Sequence, residues 1–206
     1  LALKLPEVRD TEFTWAEFES RVNTELMGNL SNFINRVTSF INDKKVGEVR
    51  KPKKMNAEDT ELLLQIKDYV DKVDKLYDNL EIVSAIQTIL ELSAKGNQYF
   101  QNNAPWKQFE RQEAVLYVCA SICKALGVML TPVIPEACAK IRKILNLPKE
   151  YNWADAIKPL PENHKIGMHE ILFYKLEAAK IQELKEKTTK LGKVEERIGK
   201  HKAHKD

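Results

Sequence analysis

Apolar residues recur at Phe18, Val22, Leu26, Leu30, Phe33, Val37 and Phe40, in steps of four and three. That spacing lines one buried face of a helix. Thr14, with Glu17 three residues on, fits a helix-opening capping box, so a first helix is predicted over about 15–43. Gly47 and Pro52 break it. Asn56-Ala57-Glu58-Asp59 then supplies a cap and early acids suited to a helix dipole, and a second helix is predicted over roughly 58–77. A third runs over about 80–102, with Val83, Ile86, Leu90 and Ala94 inward. Asn97 continues that inward row. A buried amide must find partners, so Asn97 is expected to tie the helix end to its neighbour. A fourth helix is predicted from about Trp106 to Leu130, and Pro132 and Pro135 separate it from a fifth over about 134–145. Pro148 to Met168 reads as irregular, with Trp153 expected to pack as a lid. A last helix is predicted from about Glu170, carrying Leu172, Leu176, Ile181 and Leu184. No strand alternation or internal repeat stands out. The expected fold class is all-α, an antiparallel helical bundle with one core over 1–187. Residues 188–206 are basic, poor in apolar residues and punctuated by Gly192 and Gly199, a composition suited to a flexible tail or linker.

Composition narrows the function. The chain has 206 residues, 31% charged and 43% hydrophobic, enough for one sizeable core. No transmembrane helix is expected, and the start, Leu1-Ala2-Leu3-Lys4-Leu5-Pro6, is too short and lacks the basic leader of a signal peptide. Leu1 in the place of an initiator reads as a piece cut from something longer. Three cysteines, Cys119, Cys123 and Cys138, are an odd count and argue against a disulfide framework. With the four histidines remote in sequence, they read as buried small hydrophobes rather than zinc ligands. A reducing, cytoplasmic setting follows from that usage.

The net charge of +3 is uneven. Lys185 to Asp206 carries +4, leaving the first 184 residues at −1. A second basic run holds Lys44, Lys45, Arg50, Lys51, Lys53 and Lys54 against Glu48. It follows the first helix, a position suited to phosphate contacts, although a solvated loop accounts for the charge as well.

The candidate chemistry lies at the junction Gly96-Asn97-Gln98-Tyr99 … Ala104-Pro105-Trp106. Pro pre-sets a backbone angle suited to a helix start, and a Trp beside free helix N–H groups has a flat ring near an anion site. That pairing can stack a nucleotide base. The plainer reading of Trp106 is a core anchor. On the first helix, Asn32 and Arg36 are four apart and share a face, at the edge of the stripe that Phe33 and Val37 bury. They serve either as a site or as a solvated face. Packing the first helix against the start of the fourth brings Asn32, Arg36 and Trp106 together.

In order and spacing these segments resemble the anticodon-binding helical domain of the methionyl-tRNA synthetases. The carriers are Phe13-Thr14-Trp15-Ala16-Glu17-Phe18, the Val22-Asn23-Thr24-Glu25-Leu26 and Asn32…Arg36 helix, the Gly96…Trp106 junction, Thr131-Pro132-Val133-Ile134-Pro135, and Asn163-His164-Lys165-Ile166-Gly167 with Ile171-Leu172-Phe173. The family usually has Leu-Gly-Asn-Phe where this chain has Leu30-Ser31-Asn32-Phe33. The resemblance implies that Pro105 and Trp106 form a platform, with Trp106 stacking on the first anticodon base, a cytosine. It implies that Asn32 and Arg36 contact base edges of a CAU anticodon, and that Asn97 and Tyr99 support the junction. The partners implied are the tRNA(Met) anticodon stem-loop and the enzyme's own catalytic domain, with no DNA and no membrane. ATP and methionine belong to that catalytic domain, so no cofactor is expected here.

Neither catalytic signature of such a ligase is present. A glycine-rich phosphate loop is also missing, as is any Ser/His/Asp or Cys/His arrangement, so the chain is expected to lack activity of its own. Two rivals remain. One is the similar helical domain of a synthetase for valine, isoleucine, leucine or cysteine. The other is a helical protein-interaction module whose Trp and Arg serve packing.

Overall fold

A helix that is apolar on every side organises the bundle. In the computed structural model, which describes residues 2–4, 12–45, 47–149 and 152–189, the elements run α1 (Trp15–Arg21), α2 (Asn32–Lys45), β1 (Glu48–Val49), α3 (Ala57–Asp78), α4 (Ile82–Asn103), α5 (Gln112–Met129), α6 (Pro135–Ile144), β2 (His164–Lys165) and α7 (178–189). Nearly every residue of α5 is buried, as befits a helix without a polar face. It packs against α2, α3, α4 and α6. The stretch Phe109–Met129 is long and apolar enough to cross a membrane, but 94% of its most apolar window is buried within the bundle, the position of a core helix. Cys119, Cys123 and Cys138 are all buried and unpaired, packed as small hydrophobes.

α1 and α2 are not one regular helix. Val22–Ser31 joins them as a wide-turn helix with π geometry. Its polar side chains bond to other elements: Asn29 Nδ2 donates to Leu90 O on α4 at 3.0 Å. The Asn23 amide donates to Leu176 O at 3.0 Å and accepts from Leu176 N at 2.9 Å.

The end of the chain departs from the sequence expectation. Residues 170–177 are not helical, and α7 starts only at 178. The chain from Gly167 to Leu176 is an irregular strap held near its two ends by tertiary partners. Gly167 N donates to Ile144 O at 2.7 Å, Asn42 Nδ2 donates to Gly167 O at 3.2 Å, and Asn23 holds Leu176 in both directions. Lys143 pairs with Glu170, and Leu172 is buried. Leu172 is therefore anchored from a strap, not from a helix face. A second difference is small: β1 and β2 pair antiparallel, Glu48 with Lys165 and Val49 with His164. Trp153 packs edge-on to Tyr77 at 6.0 Å, as a lid would. Residues 190–206, most of the basic tail, lie outside the described residues.

Burial also sets a pH response. It pushes up the Cys119, Cys123 and Cys138 thiols, Cys138 to about 12, and the Tyr77, Tyr99 and Tyr117 hydroxyls, Tyr77 to about 12. These groups stay neutral in the fold and ionise more readily when unfolded, so their stabilisation is complete below about pH 9 and is lost above it. Lys124 acts oppositely. It is 5% exposed, its ammonium donates to Lys158 O, and burial lowers it to about 8. It favours folding as pH rises from about 8 toward its unfolded value. The thiols and phenols outnumber it. The urea midpoint is expected to hold level from pH 6 to 8 and to fall above about pH 9.5.

Candidate nucleic-acid interface

The meeting of α2 and α4 begins at a glycine. A Cβ added at Gly96 would lie 2.5 Å from the Phe33 ring. Only hydrogen fits there, so the helices approach closely. One turn beyond Phe33 on α2 is Arg36, and four residues beyond Gly96 on α4 is Phe100. The close approach brings them together: the Arg36 guanidinium lies 5.2 Å from the Phe100 ring centroid.

Trp106 joins them from the other side. Ala104 ends α4 in the left-handed conformation, φ 36°, which turns the chain sharply into Pro105. The indole then lies edge-on to Phe100 at 5.5 Å, and the Arg36 guanidinium lies 5.9 Å from its ring centroid. Cation–π contact of this kind favours a guanidinium held against an aromatic face. Trp106 and Arg36 are partly exposed, and Pro105 is buried. Asn32, one turn before Arg36, is exposed, and among the described residues its carboxamide has no hydrogen-bond partner. The indole and the guanidinium thus meet at a partly open surface, with an exposed carboxamide one helical turn back along α2.

One part of the sequence argument is corrected. Trp106 does not sit at a helix mouth beside free N–H groups. α5 begins only at Gln112, and the two N–H groups that follow the ring in sequence are taken up: Lys107 N and Gln108 N both donate to Ala104 O, at 2.7 and 3.0 Å. The turn is closed by its own hydrogen bonds, and the first turn of α5 lies beyond it.

Behind the turn lies a polar network. Asp59, 1% exposed, accepts from the Tyr99 hydroxyl and from Arg111. Arg111 also donates to Asn103, and Gln112 Nε2 donates to Pro105 O at 2.9 Å. Asp59 closes the capping box that starts α3, accepting from Asn56 N at 2.9 Å while Asn56 Oδ1 accepts from Asp59 N at 2.8 Å. The start of α3, the end of α4 and both sides of the Trp106 turn are therefore bound together. Tyr99 is buried in this network. Asn97 reaches the other way, its Nδ2 donating to Asn29 O at 3.1 Å. It ties α4 to the wide-turn helix as its inward position suggested.

Sequence reasoning missed Gln101, whose Oε1 accepts from Arg36 Nη2 at 2.6 Å. Its position four residues before Pro105 was visible, but nothing local tied it to a residue 65 positions earlier. The missed Phe100 is the ring on which both Arg36 and Trp106 rest.

The basic run is mixed. Lys44, Lys51, Lys53 and Lys54 are exposed, with no ion-pair partner among the described residues. Arg50 is held by Glu48 at 2.6 Å and lies 3.9 Å from Glu113 in the first turn of α5, which places this loop beside the helix that follows the Trp106 turn. The side chain of Lys45 lies outside the described residues. An apolar groove of about 380 Å³ between the wide-turn helix and the 130–134 turn shares no residue with the Trp106 face.

Comparison with known proteins follows the same lines. A family model described as the anticodon binding domain of methionyl tRNA ligase matches residues 49–192. A second, described as class I (M) tRNA synthetases, matches residues 1–38. Methionine--tRNA ligase of Pyrococcus horikoshii is 35% identical over 176 residues, covering 84% of this chain and 24% of the relative. The cytoplasmic methionine--tRNA ligase of Caenorhabditis elegans is 36% identical over 194 residues, covering 88% of this chain and 21% of the relative. The chain thus spans about a quarter of the length of these curated relatives. The crystal structure of the apo form of Mycobacterium tuberculosis methionyl-tRNA synthetase superposes with a TM-score of 0.79 at 21% identity, over 84% of this chain and 37% of that one, a likeness of fold. The chain belongs to the family of methionyl-tRNA ligase anticodon-binding domains.

Proposed function

We propose that this chain reads the CAU anticodon loop of tRNA(Met) and so selects the tRNA for methionylation in translation. The observation that supports the reading is the meeting of Arg36 with the Trp106 ring, with exposed Asn32 one helical turn from Arg36. Specific readers of RNA favour single-stranded loops, whose splayed bases can be stacked on aromatic rings and hydrogen-bonded on their edges. Trp106, backed by buried Pro105, stacks the first anticodon base, the cytosine. Arg36, steadied by Gln101, and Asn32 hydrogen-bond base edges, while Tyr99 and Asn97 support the turn and the helix that present them. The unpaired lysines at 44, 51, 53 and 54 meet phosphates, and Arg50 contributes less because Glu48 and Glu113 already balance it. Lys45 is assigned to the same run. Residues 1–187 form the reading unit, and 188–206 serve as its basic tail or linker. Adenylate chemistry with ATP and methionine belongs to the part of the relatives that lies outside this chain, and the setting is the cytoplasm.

Base contacts specify and phosphate contacts position, which gives the test. Arg36→Ala is expected to lose at least fivefold in preference for a CAU hairpin over hairpins with other anticodons, with a smaller loss of overall affinity. Neutralising Lys51, Lys53 and Lys54 together is expected to weaken all hairpins alike and to lower the slope of log affinity against log salt by about 2–3. Equal losses for matched and mismatched hairpins in Arg36→Ala would remove Arg36 as a reader. Tighter binding to a valine, isoleucine, leucine or cysteine anticodon would favour the rival synthetases, and absence of any salt-dependent binding would favour a protein-interaction module.

A further inference from the structure

The turn that carries Trp106 displays a second aromatic ring that packing does not explain. Phe109 is 73% exposed, and among the described residues it has no ring partner. It opens the short helical turn Phe109–Arg111, three residues beyond Trp106. Its O accepts from Gln112 N, and its neighbours on both sides are held. Gln108 N donates to Ala104 O at 3.0 Å, and Arg111 N donates to Gln108 O at 3.1 Å. Arg111 is in turn moored to buried Asp59 and to Asn103. Exposed Lys107 lies between the two aromatics in sequence. Single exposed apolar residues are ordinary on a protein surface. What sets this one apart is its seat on the same turn as the proposed base platform, next to an exposed cation with no ion-pair partner among the described residues.

We infer that Phe109 is a second stacking surface, which takes an unpaired base of the anticodon loop other than the cytosine held by Trp106. The inference rests on the proposed anticodon-reading function and adds to it a sequence-tolerant contact. Every base has a π face, so stacking on a ring without hydrogen-bonding groups contributes affinity without choosing a base. A loop that enters the face with one base on Trp106 presents its neighbours to the same turn, and Lys107 is placed to meet the phosphate between them.

The test uses the whole chain and a CAU hairpin in which each loop base in turn is replaced by an abasic site. Phe109→Ala is expected to bind the intact hairpin about tenfold more weakly and to weaken a hairpin with a scrambled anticodon by the same factor. Phe109→Tyr should restore binding to within twofold. One abasic position, other than the cytosine, should cost the wild-type chain affinity and cost Phe109→Ala nothing further. The melting temperature should not change, because the ring is exposed. If Phe109→Ala binds within twofold of wild type while Trp106→Ala is weakened, the second stacking surface is wrong and the platform stands. Should both variants bind like wild type, the platform itself fails. A loss in Phe109→Ala with every abasic penalty retained would overturn stacking as its cause.

Discussion

Replacing Asp59 by alanine is expected to lower the unfolding free energy by about 3 kcal/mol, the low end for breaking a buried ion pair. The carboxylate is 1% exposed and serves the Tyr99 hydroxyl, the Arg111 guanidinium and the Asn56 N–H. Its removal leaves these three donors without that acceptor, and unmade buried hydrogen bonds cost more than made ones contribute. The low end applies because the Arg111 side chain keeps 28% exposure and can recover some hydration. Tyr99→Phe removes one donor and leaves the ion pair, so its expected cost is about 1 kcal/mol. Urea unfolding of the two variants checks both values. A loss under 1 kcal/mol for Asp59→Ala would mean that the network does not hold the turn. Because Arg111 and Asn103 flank that turn, Asp59→Ala is also expected to weaken RNA binding under conditions where the chain remains folded.

Trp106→Ala is expected to lose about 1–3 kcal/mol of binding to the CAU hairpin, the range for one stacked base, or roughly 5- to 150-fold in affinity. Stability should fall less than for a core Trp, because the indole is only partly buried and rests edge-on against Phe100. Fully buried Trp→Ala changes cost about 3–5 kcal/mol, so a loss of that size would make Trp106 a core anchor. Trp106→Phe keeps a smaller ring and should recover most of the binding. A thermal melt alongside a hairpin titration separates the two roles. A variant that melts early but binds normally once folded would rule out stacking.

How much of this was legible in the sequence varies from residue to residue. The existence of α3, α4 and α6 follows from apolar spacing and from local caps such as Asn56 and its capping box, but the inward row of α4 was misplaced: Ala94 is exposed and Val83 half-buried, whereas Ala85, Ile89, Leu92 and Gly96 on the neighbouring stripe are buried. The wide turn at Val22–Ser31 also left a trace. Phe18, Val22, Leu26 and Leu30 are separated by three successive steps of four, longer than the 3.6-residue turn of an α-helix, and a widened helix keeps such a row on one face. That spacing was read as ordinary helix because period alone does not show the hydrogen-bond register. The strap at 170–177 was illegible for a different reason. Leu172 and Leu176 have helical spacing, but the Leu176 backbone is held by Asn23, 153 residues away, and Gly167 just before them by Ile144 at the end of α6. Long-range side-chain to backbone bonds of this kind leave no local pattern. At the candidate site the meeting of Arg36 with Trp106 was foreseen. The start of α5 was placed too early because Pro105 reads as a first helical residue, whereas the left-handed Ala104 before it makes a turn. Gln101 and Phe100 carried no signal of their own, and their importance exists only once Gly96 lets α2 and α4 approach.

The most direct measurement of the central claim is the affinity of the chain for a CAU anticodon hairpin against one of equal length with the three anticodon bases scrambled, at one fixed salt concentration. If the surface around Trp106, Arg36 and Asn32 reads base edges as well as phosphates, the CAU hairpin should bind at least tenfold more tightly, the order of one good base contact at about 1–3 kcal/mol. Equal affinities for the two hairpins would contradict the account.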